Sequence, residues 1–496
     1  LKYSGFVLFA CKIFSVATGA AFIIMITRNV SENEFGIWGN TIDILNYFIL
    51  LAGILPFWTT RFVSRRYAGS AKTGFIANVA ISIASAFIYL ALIPFFLSAL
   101  QISAYTNVYI FLSIQIPQLY IINALEAILR AKQPQTIGYG LLLSEVCKVI
   151  LGFILIIHFH LGLIGAICSV ITSYIIQIVL YLKLTGSELR EPVKWSYLKE
   201  WLKGSLINIY YVVGTRIVAL TLIFLFVYGE LARSYYQAAC TIAGVIGYSA
   251  FLAFALYPKL LSQTNIEDVH TSLKMVLLFA IPMTTGAIVL SESYLTILRS
   301  TYTDAKFVLP LVAMSFFCIS LSQIFSSIVM GTEEIDAKAE IPFKQLVKTR
   351  LFQIFTLPYI QSAIAIPTVF FAVFYMAKTP LEAATFLALI ILLTDSAMLL
   401  IAYTFAHKCL TFNFPWNSVS KYALASAVMA IVLLVIPHPT RLSITVALTL
   451  LGAAIYVTVL MLIDEECKLL VKSILQEIRR LIKFSKPLKV SLKNQK

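Results

Sequence analysis

The basic residues of this chain fall almost entirely into alternate gaps between long apolar runs. Fourteen such runs follow one another along the 496 residues. One set of alternate gaps, together with both termini, contains 29 Lys and Arg residues, the other set contains six, and Lys12, Lys148 and Arg216 lie inside runs. The six are Arg28, Arg233, Arg299, Lys306, Lys378 and Arg441. Membrane proteins keep their basic loops in the cytoplasm, so this partition predicts a multi-pass chain whose two termini are both cytoplasmic.

The composition excludes a soluble globular protein. Hydrophobic residues make up 60% of the chain, charged residues make up 12%, and the mean hydropathy is +0.90. The runs are about 20 residues long and do not alternate in polarity, which predicts transmembrane helices rather than barrel strands. Because the net charge of +15 is concentrated beside the ends of the runs, we expect contacts with anionic lipid headgroups and not with nucleic acid.

The runs predict an all-α polytopic membrane protein with about fourteen transmembrane helices. Two sets of six helices form lobes at 1–183 and 205–406, joined by a cytoplasmic interfacial linker at 184–204. Two further helices occupy 407–463, and the tail at 464–496 is basic, amphipathic and cytoplasmic. Short gaps after spans one and seven indicate that the lobes are related by a pseudo-two-fold axis along the membrane normal. The predicted spans are 4–27, 37–57, 75–99, 107–130, 137–159, 161–183, 205–229, 232–256, 273–293, 307–330, 356–377, 383–406, 419–437 and 441–463.

Two cations inside the runs are the main candidates for a substrate site. Lys12 lies about eight residues into the first span and Arg216 about eleven into the seventh, so equivalent lobes would place them on matched helices. A charge within a span usually faces a partner or a water-filled cavity. Two cations facing one cavity would hold an anionic group such as a phosphate or pyrophosphate. In the alternative reading, each side chain extends to the membrane interface instead.

The remaining charges within the spans allow two interpretations each. Asp43 and Asp395 have no cation nearby along the sequence, so each is either an ion-coupling site or a polar contact between helices. Glu145 and Lys148 are three residues apart on one predicted helix, so they either pair with each other or serve the transported substrate.

The sequence contains no pattern of catalysis or of metal binding. The seven cysteines are isolated and include no CxxC pair. A glycine-rich phosphate loop, an HExxH motif and a GxSxG motif are all missing. We therefore predict that the chain is not an enzyme and has neither a cofactor nor a metal site.

Three stretches resemble a known family. The stretch TRNVSENEFGIW at 27–38 resembles the "aRxLxxxeFGxy" signature of the polysaccharide-biosynthesis flippases. The stretch SYYQAA at 234–239, closed by Pro258, is similar to their "GxYxxAxxl…P" eighth span, and 125–140 is also similar to theirs. Arg233 departs from the pattern, because the family usually has a small residue there. These flippases handle lipid-linked oligosaccharides and belong to the multidrug/oligosaccharidyl-lipid/polysaccharide exporter superfamily.

The resemblance implies a function. Such proteins move a polyprenyl or dolichyl (pyro)phosphate-linked oligosaccharide from the inner to the outer leaflet of the cell membrane, for surface polysaccharide or glycoprotein assembly. Two lobes alternate access to a central cationic cavity while the lipid tail stays in the bilayer through a lateral gate. Arg28 matches the family's arginine, which implies a phosphate-binding role at the cavity mouth. An ion gradient or the membrane potential would drive transport, with Asp43 or Asp395 as the coupling residue.

Three other functions remain as alternatives. An ion-coupled drug antiporter of the same superfamily would favour acidic residues in the cavity and twelve spans. A membrane glycosyltransferase or polymerase would require an acidic motif in an outer loop, whereas the outer gaps here are short and poor in acids. A purely structural membrane protein is the third alternative. The sequence predicts neither the glycan nor the oligomeric state.

Overall fold

The chain folds entirely into helices in a computed structural model, which confirms the predicted all-α class for the part of the chain that it describes. The tail predicted at 464–496 lies outside the described residues except at 464, 465 and 468. The described residues are 2–253, 256, 260, 265–332, 350–437, 441–465 and 468.

Two groups of helices are separated by a short helix. The first group consists of α1 (Lys2–Asn29), α2 (Glu32–Phe48), α3 (Ile54–Ser64), α4 (Ser70–Ala99), α5 (Thr106–Leu112), α6 (Gln115–Lys132), α7 (Gln135–Gly152) and α8 (Gly162–Leu184). The short helix is α9 (Trp195–Gly204). The second group consists of α10 (Leu206–Val218), α11 (Gly229–Gly247), α12 (Ile266–Val289), α13 (Ser291–Leu298), α14 (Val308–Thr332), α15 (Arg350–Phe371) and α16 (Pro380–Cys409), followed by α17 (Trp416–Val435) and α18 (Leu442–Ile463).

The described helices account for all fourteen predicted spans. Eleven stretches are long and apolar enough to cross a membrane, and the bent pair α2 and α3 provides a twelfth. The apolar part of α1, Phe14–Asn29, is shorter. One of the eleven stretches, Ile209–Ala253, has 45 residues and would be about 67 Å long as a single helix, against a hydrocarbon core of about 30 Å. Gly229 interrupts it with φ 76° and ψ −175°, so this stretch forms two crossings.

The second span is broken in the middle. Its two parts are inclined by 55° and are joined by a 3-10 turn at Leu50–Gly53. Pro56 lies in the first turn of α3. Proline lacks an N–H group and its ring crowds the carbonyl four residues earlier, which is that of Ala52 in this turn. The sequence prediction of one straight span at 37–57 therefore becomes a kinked span that begins earlier and ends later.

Within the described part of the chain, the large apolar cluster that the two groups share lies at one end of the molecule. We call this the Arg28 end, because it contains the turn between α1 and α2, and we call the other, rich in Lys and Arg, the basic end. One continuous cluster at the Arg28 end joins Phe35 of the first group to Tyr235 and Tyr302 of the second. At the basic end, separate described clusters form around Tyr181 in the first group and around Tyr422 in the second.

The segment before α10 docks on the first group at the basic end. Glu191 accepts a hydrogen bond from the Gly69 amide, and the Lys194 amide donates to Thr73 Oγ1 over 2.8 Å. Trp201 is fully buried, with its ring centroid 5.3 Å from that of Phe62. The predicted interfacial linker therefore carries a buried tryptophan that anchors it to protein.

Candidate binding site between the helix groups

An ion pair joins the two groups inside the membrane-spanning region. Arg233 of α11 donates from Nε and Nη2 to Asp43 Oδ2 of α2, over 3.0 and 2.6 Å. The Arg233 side chain is 3% exposed and that of Asp43 is 19% exposed. The sequence pattern counted Arg233 among the six basic residues in the poor gaps, and that placement is wrong. Arg233 is a buried residue in α11.

Two glycines allow α2 and α11 to approach closely at this pair. A Cβ atom on Gly39 would lie 3.0 Å from the guanidinium carbon of Arg233 and 2.7 Å from Gln237 Oε1. A Cβ atom on Gly36 would overlap the carbonyl of Glu230. The guanidinium group of Arg233 therefore packs closely on α2 at a point where the helix has no side chain.

Unused hydrogen-bond donors surround the carboxylate of Asp43. Arg216 Nε, Arg233 Nη1 and Tyr47 Oη are buried and make no hydrogen bond within the described part of the chain. Arg216 lies close enough to interact electrostatically with both Asp43 and Tyr47. Two guanidinium groups thus lie near one carboxylate, and among the described residues Arg233 alone is within ion-pair distance of it. This arrangement leaves positive charge and free donors at a site within the membrane, which suits an anionic ligand.

A second set of contacts closes the Arg28 end above this pair. Arg28 donates from Nε and Nη2 to the Ile297 carbonyl, over 3.2 and 3.1 Å. In the opposite direction, Arg299 donates to the Val30 carbonyl over 2.6 Å, and its Nε lies 3.2 Å from Glu32 Oε1. These contacts all join α1 or α2 to the region around α13. Arg28, predicted at a cavity mouth, here binds the carbonyl end of a helix in the second group.

Two other predicted residues of the first group, Glu145 and Lys148, pair with each other. Lys148 Nζ is 2.7 Å from Glu145 Oε1, and Thr18 donates to Glu145 Oε2 over 2.7 Å. Lys148 also lies 5.5 Å from the centre of the Phe22 ring. The backbone of Lys12 belongs to α1, but its side chain is outside the described part of the structure.

Asp395 forms a separate polar site inside the second group. It is 8% exposed and accepts hydrogen bonds from Gln361, over 2.6 Å, and from Ser315. Thus α14, α15 and α16 meet at this carboxylate. Among the described residues, no group of three or more His, Cys, Asp and Glu side chains could hold a metal ion.

An apolar groove of about 930 Å³ lies between α1, α11, α12, α13, α17 and α18, so it shares α11 with the ion pair. No charged residue is among its described lining residues. Gly19 and Gly286 line it, and a Cβ atom on either would have no neighbour within 4 Å. The hydroxyl groups of Tyr294 and Thr449 in its wall form a hydrogen bond of 2.9 Å with each other. The groove therefore suits a hydrocarbon chain.

The sequence contains a pattern that indicates a buried cation, such as Arg233, packed against α2. Gly36, Gly39, Asn40 and Asp43 recur at helical spacing and so share one face of α2. Small residues on such a face favour close packing of a second helix, and a buried carboxylate requires a cation from that helix. The partner's identity was not readable, because it lies 190 residues further along the chain.

Comparison with solved structures identifies the fold. An inward-facing multidrug resistance MATE family transporter of the MOP superfamily is 13% identical, with a TM-score of 0.62, over 80% of this chain and 95% of that one. The lipid II flippase MurJ, in an inward closed conformation, is 16% identical, with a TM-score of 0.62, over 93% of this chain and 99% of that one. This chain has the fold of the MOP-superfamily transporters.

A third structure with this fold is informative by its description. It is a MOP-superfamily transporter from Pyrococcus furiosus whose binding pocket has reversed polarity, 13% identical, with a TM-score of 0.54, over 82% of this chain and 94% of that one. No protein-family model matches the sequence, and no curated protein matches it either. The likeness therefore concerns the fold, and with the apolar helices it indicates a multi-pass membrane protein.

Proposed function

We propose that this chain is a flippase for a polyprenyl or dolichyl (pyro)phosphate-linked oligosaccharide. It would act without catalysis in the cell membrane and serve the assembly of surface polysaccharide or glycoprotein. The basic end faces the cytoplasm, where its Lys and Arg residues contact anionic lipid headgroups. The helix groups at 1–183 and 205–406 act as the two lobes, and 407–463 adds a pair of helices beside them.

One observation carries the proposal: a positively charged site and an uncharged groove share the helix α11, on which Arg233 lies two turns before the groove-lining Cys240. Arg233 pairs with the single carboxylate of Asp43, and the nearby Arg216 has no ion-pair partner among the described residues, so the site can accept a further negative charge. The groove along α1 and α11 has no described charged lining residue. A molecule with an anionic head and a long apolar chain is complementary to both features. A cationic drug is complementary only to the second.

The two ends of the molecule fit a cycle of alternating access. The contacts at the Arg28 end close the outer side, while the lobes have separate cores at the basic end. The head of the substrate would enter from the cytoplasm and bind the guanidinium groups, with its chain in the groove. Rocking of the lobes would then break the Arg28 and Arg299 contacts and open the outer side. Lys12 remains a proposed further phosphate ligand.

Coupling to an ion is assigned to Asp395 rather than to Asp43. The carboxylate of Asp43 is paired with Arg233, whereas Asp395 accepts hydrogen bonds from the neutral groups of Gln361 and Ser315. A buried carboxylate without a cationic partner favours binding of a proton or a metal cation. Glu145 and Lys148 compensate each other and require no such ligand.

Flipping in reconstituted vesicles tests the proposal. Lipid-linked oligosaccharide would be the substrate, and Arg216→Ala and Lys12→Ala would be compared with the wild type. We expect Arg216→Ala to slow flipping roughly tenfold or more, because a charge-assisted contact contributes about 1.5–3 kcal/mol. Arg441→Ala, at an exposed position, is the matched control and should flip normally. Equal rates in all variants would contradict the cationic site.

The groove has its own test. A leucine at Gly286 would project into the groove, and we expect Gly286→Leu to slow flipping of long-chain substrates more than of short-chain ones. Ala84→Leu is the control, because Ala84 lies on the exposed face of α4 beside Phe87 and Ile88. Equal sensitivity for both chain lengths would show that the groove does not hold the chain.

An ion-coupled drug antiporter is the second candidate. The MATE transporters of the same fold favour it, and so does the buried carboxylate of Asp395. A gradient-driven uptake assay with cationic dyes separates the two functions. Dye uptake that is abolished by Asp395→Asn, together with absent lipid flipping, would establish the antiporter instead.

A further inference from the structure

We propose that Asp43 is an internal competitor of the substrate anion for Arg233, so that binding of a phosphate or pyrophosphate group releases the ion pair that joins the lobes. This inference rests on the proposed function and adds how the loaded protein differs from the empty one. It makes Asp43 a positioning residue that holds α2 on α11 until an anion takes its place.

The burial of Arg233 is the first argument. Its side chain is 3% exposed, so its charge requires an anion at every stage of the cycle. Within the described residues, its only ion-pair partner is Asp43. Separation of the two helices without a replacement anion would leave the guanidinium group unpaired in a nonpolar environment. A substrate that supplies the replacement removes this barrier.

The hydrogen-bond geometry is the second argument. Asp43 uses one oxygen, Oδ2, to accept from both Nε and Nη2 of Arg233, and Nη1 is left unused. The nearby Arg216 Nε and Tyr47 Oη are also unused. A phosphate group has more acceptor oxygens than a carboxylate and could engage all of these donors. It would thus outcompete Asp43 for the same guanidinium group.

Access to the pair is the third argument. Asp43 is 19% exposed, so the carboxylate side of the pair is the side that a ligand can reach. The Arg233 guanidinium group, in contrast, is covered by α2 at Gly39. An incoming anion would therefore meet Asp43 first and displace it from Arg233.

The position of the pair gives the consequence. Asp43 belongs to α2 and Arg233 to α11, the two helices that form the main contact between the groups. Among the described residues, the two hydrogen bonds of this pair are the only side-chain hydrogen bonds between α2 and α11, so the ion pair is the principal polar attachment there. Loss of the pair would loosen the contact beneath the Arg28 end and allow the outer side to open.

The test combines ligand binding with hydrogen exchange on the purified full-length chain in nanodiscs. The probes are geranylgeranyl pyrophosphate and geranylgeraniol, which carries the same chain without the anion. We expect the pyrophosphate, and not the alcohol, to increase amide exchange in residues 35–45 and 229–240. We expect Asp43→Asn to show this faster exchange without any ligand and to bind the pyrophosphate roughly tenfold more tightly.

Glu145→Gln is the matched control. It also removes a carboxylate that is paired with a cation in a membrane span, but that pair lies within one lobe. We expect an affinity within about twofold of the wild type and a normal exchange response.

Each outcome decides the inference. If the pyrophosphate binds without changing exchange at either segment, or if Asp43→Asn binds it no more tightly, the competition is refuted while anion binding stands. If the wild type does not bind the pyrophosphate, both the competition and the proposed substrate class are refuted. The two wild-type measurements decide the matter even where Asp43→Asn does not fold.

Discussion

The two ends of the molecule hold the helix groups together in different ways. At the Arg28 end, α2 lies directly on α11, and a shared apolar core surrounds a buried ion pair. At the basic end, the two groups have their own cores and are connected through the docked segment around Trp201. The direct contact depends on charges that can be exchanged, whereas the docked segment depends on aromatic packing. This difference suits an end that must open and an end that must stay attached.

Removal of Arg233 should have the largest effect on the stability of the Arg28 end. Arg233→Ala leaves the Asp43 carboxylate without its cation, which destabilises a protein by roughly 3–5 kcal/mol. Thermal unfolding in detergent should show the loss. The double variant Asp43→Leu with Arg233→Met should recover most of the stability, because an apolar pair replaces a buried ion pair without an unpaired charge. A double variant as unstable as Arg233→Ala would contradict the conclusion that the instability comes from the unpaired charge of Asp43.

Truncation of Trp201 should weaken the other end by about 3 kcal/mol, because its fully buried ring would leave a cavity. Hydrogen exchange should rise in residues 195–204 while residues 35–45 stay protected. Trp195→Ala provides the comparison, since Trp195 is 55% exposed and its loss should change little. Deprotection of both ends by Trp201→Ala would show that the two attachments are not independent.

A methyl group at Gly39 should disturb the Arg28 end moderately. Its position 3.0 Å from the guanidinium group of Arg233 forces that group to shift, which typically destabilises by about 1–3 kcal/mol. Gly53→Ala is the control, because a Cβ atom on Gly53 has no neighbour within 4 Å. Denaturation midpoints of the two variants give the measurement. A midpoint that falls equally in both would argue against the tight α2–α11 contact.

The smallest effect is expected at the surface of the Arg28 end. Glu32→Gln removes an ion pair whose members, Glu32 and Arg299, are 25% and 36% exposed. Such a pair contributes less than about 1 kcal/mol, and high salt screens it. The difference from the wild type should disappear at about 1 M salt, where the Debye length falls to about 3 Å. A difference that persists would place this pair among the principal attachments.

The sequence predicted the membrane helices well because their length and apolarity are local properties. All fourteen spans correspond to described helices, and the turn at Gly229 separates spans seven and eight. The kink in the second span was missed, although Pro56 was visible within it. Hydropathy therefore indicates that a segment crosses the membrane but does not indicate whether its helix is straight.

The candidate site was less accessible to sequence reasoning. Asp43 was recognised as a costly charge, but hydropathy contains no information on which distant helix lies against it. Arg233 was attributed to topology because it is close to a predicted helix end. Proximity to the end of a span does not imply exposure, since a second helix can cover that surface, as α2 covers Arg233 here.

The docked segment at 191–205 limits how far the two halves can separate. Trp58 Nε1 donates to Ser205 Oγ over 2.9 Å, so the first residue before α10 is already held against α3. The predicted linker at 184–204 is therefore mostly fixed to the first group, and only a very short stretch of chain connects the two groups. With Ser205 held in place, the second group can tilt about this point but cannot move away from the first group. The width of the opening between the groups at the basic end therefore depends on the angle between them.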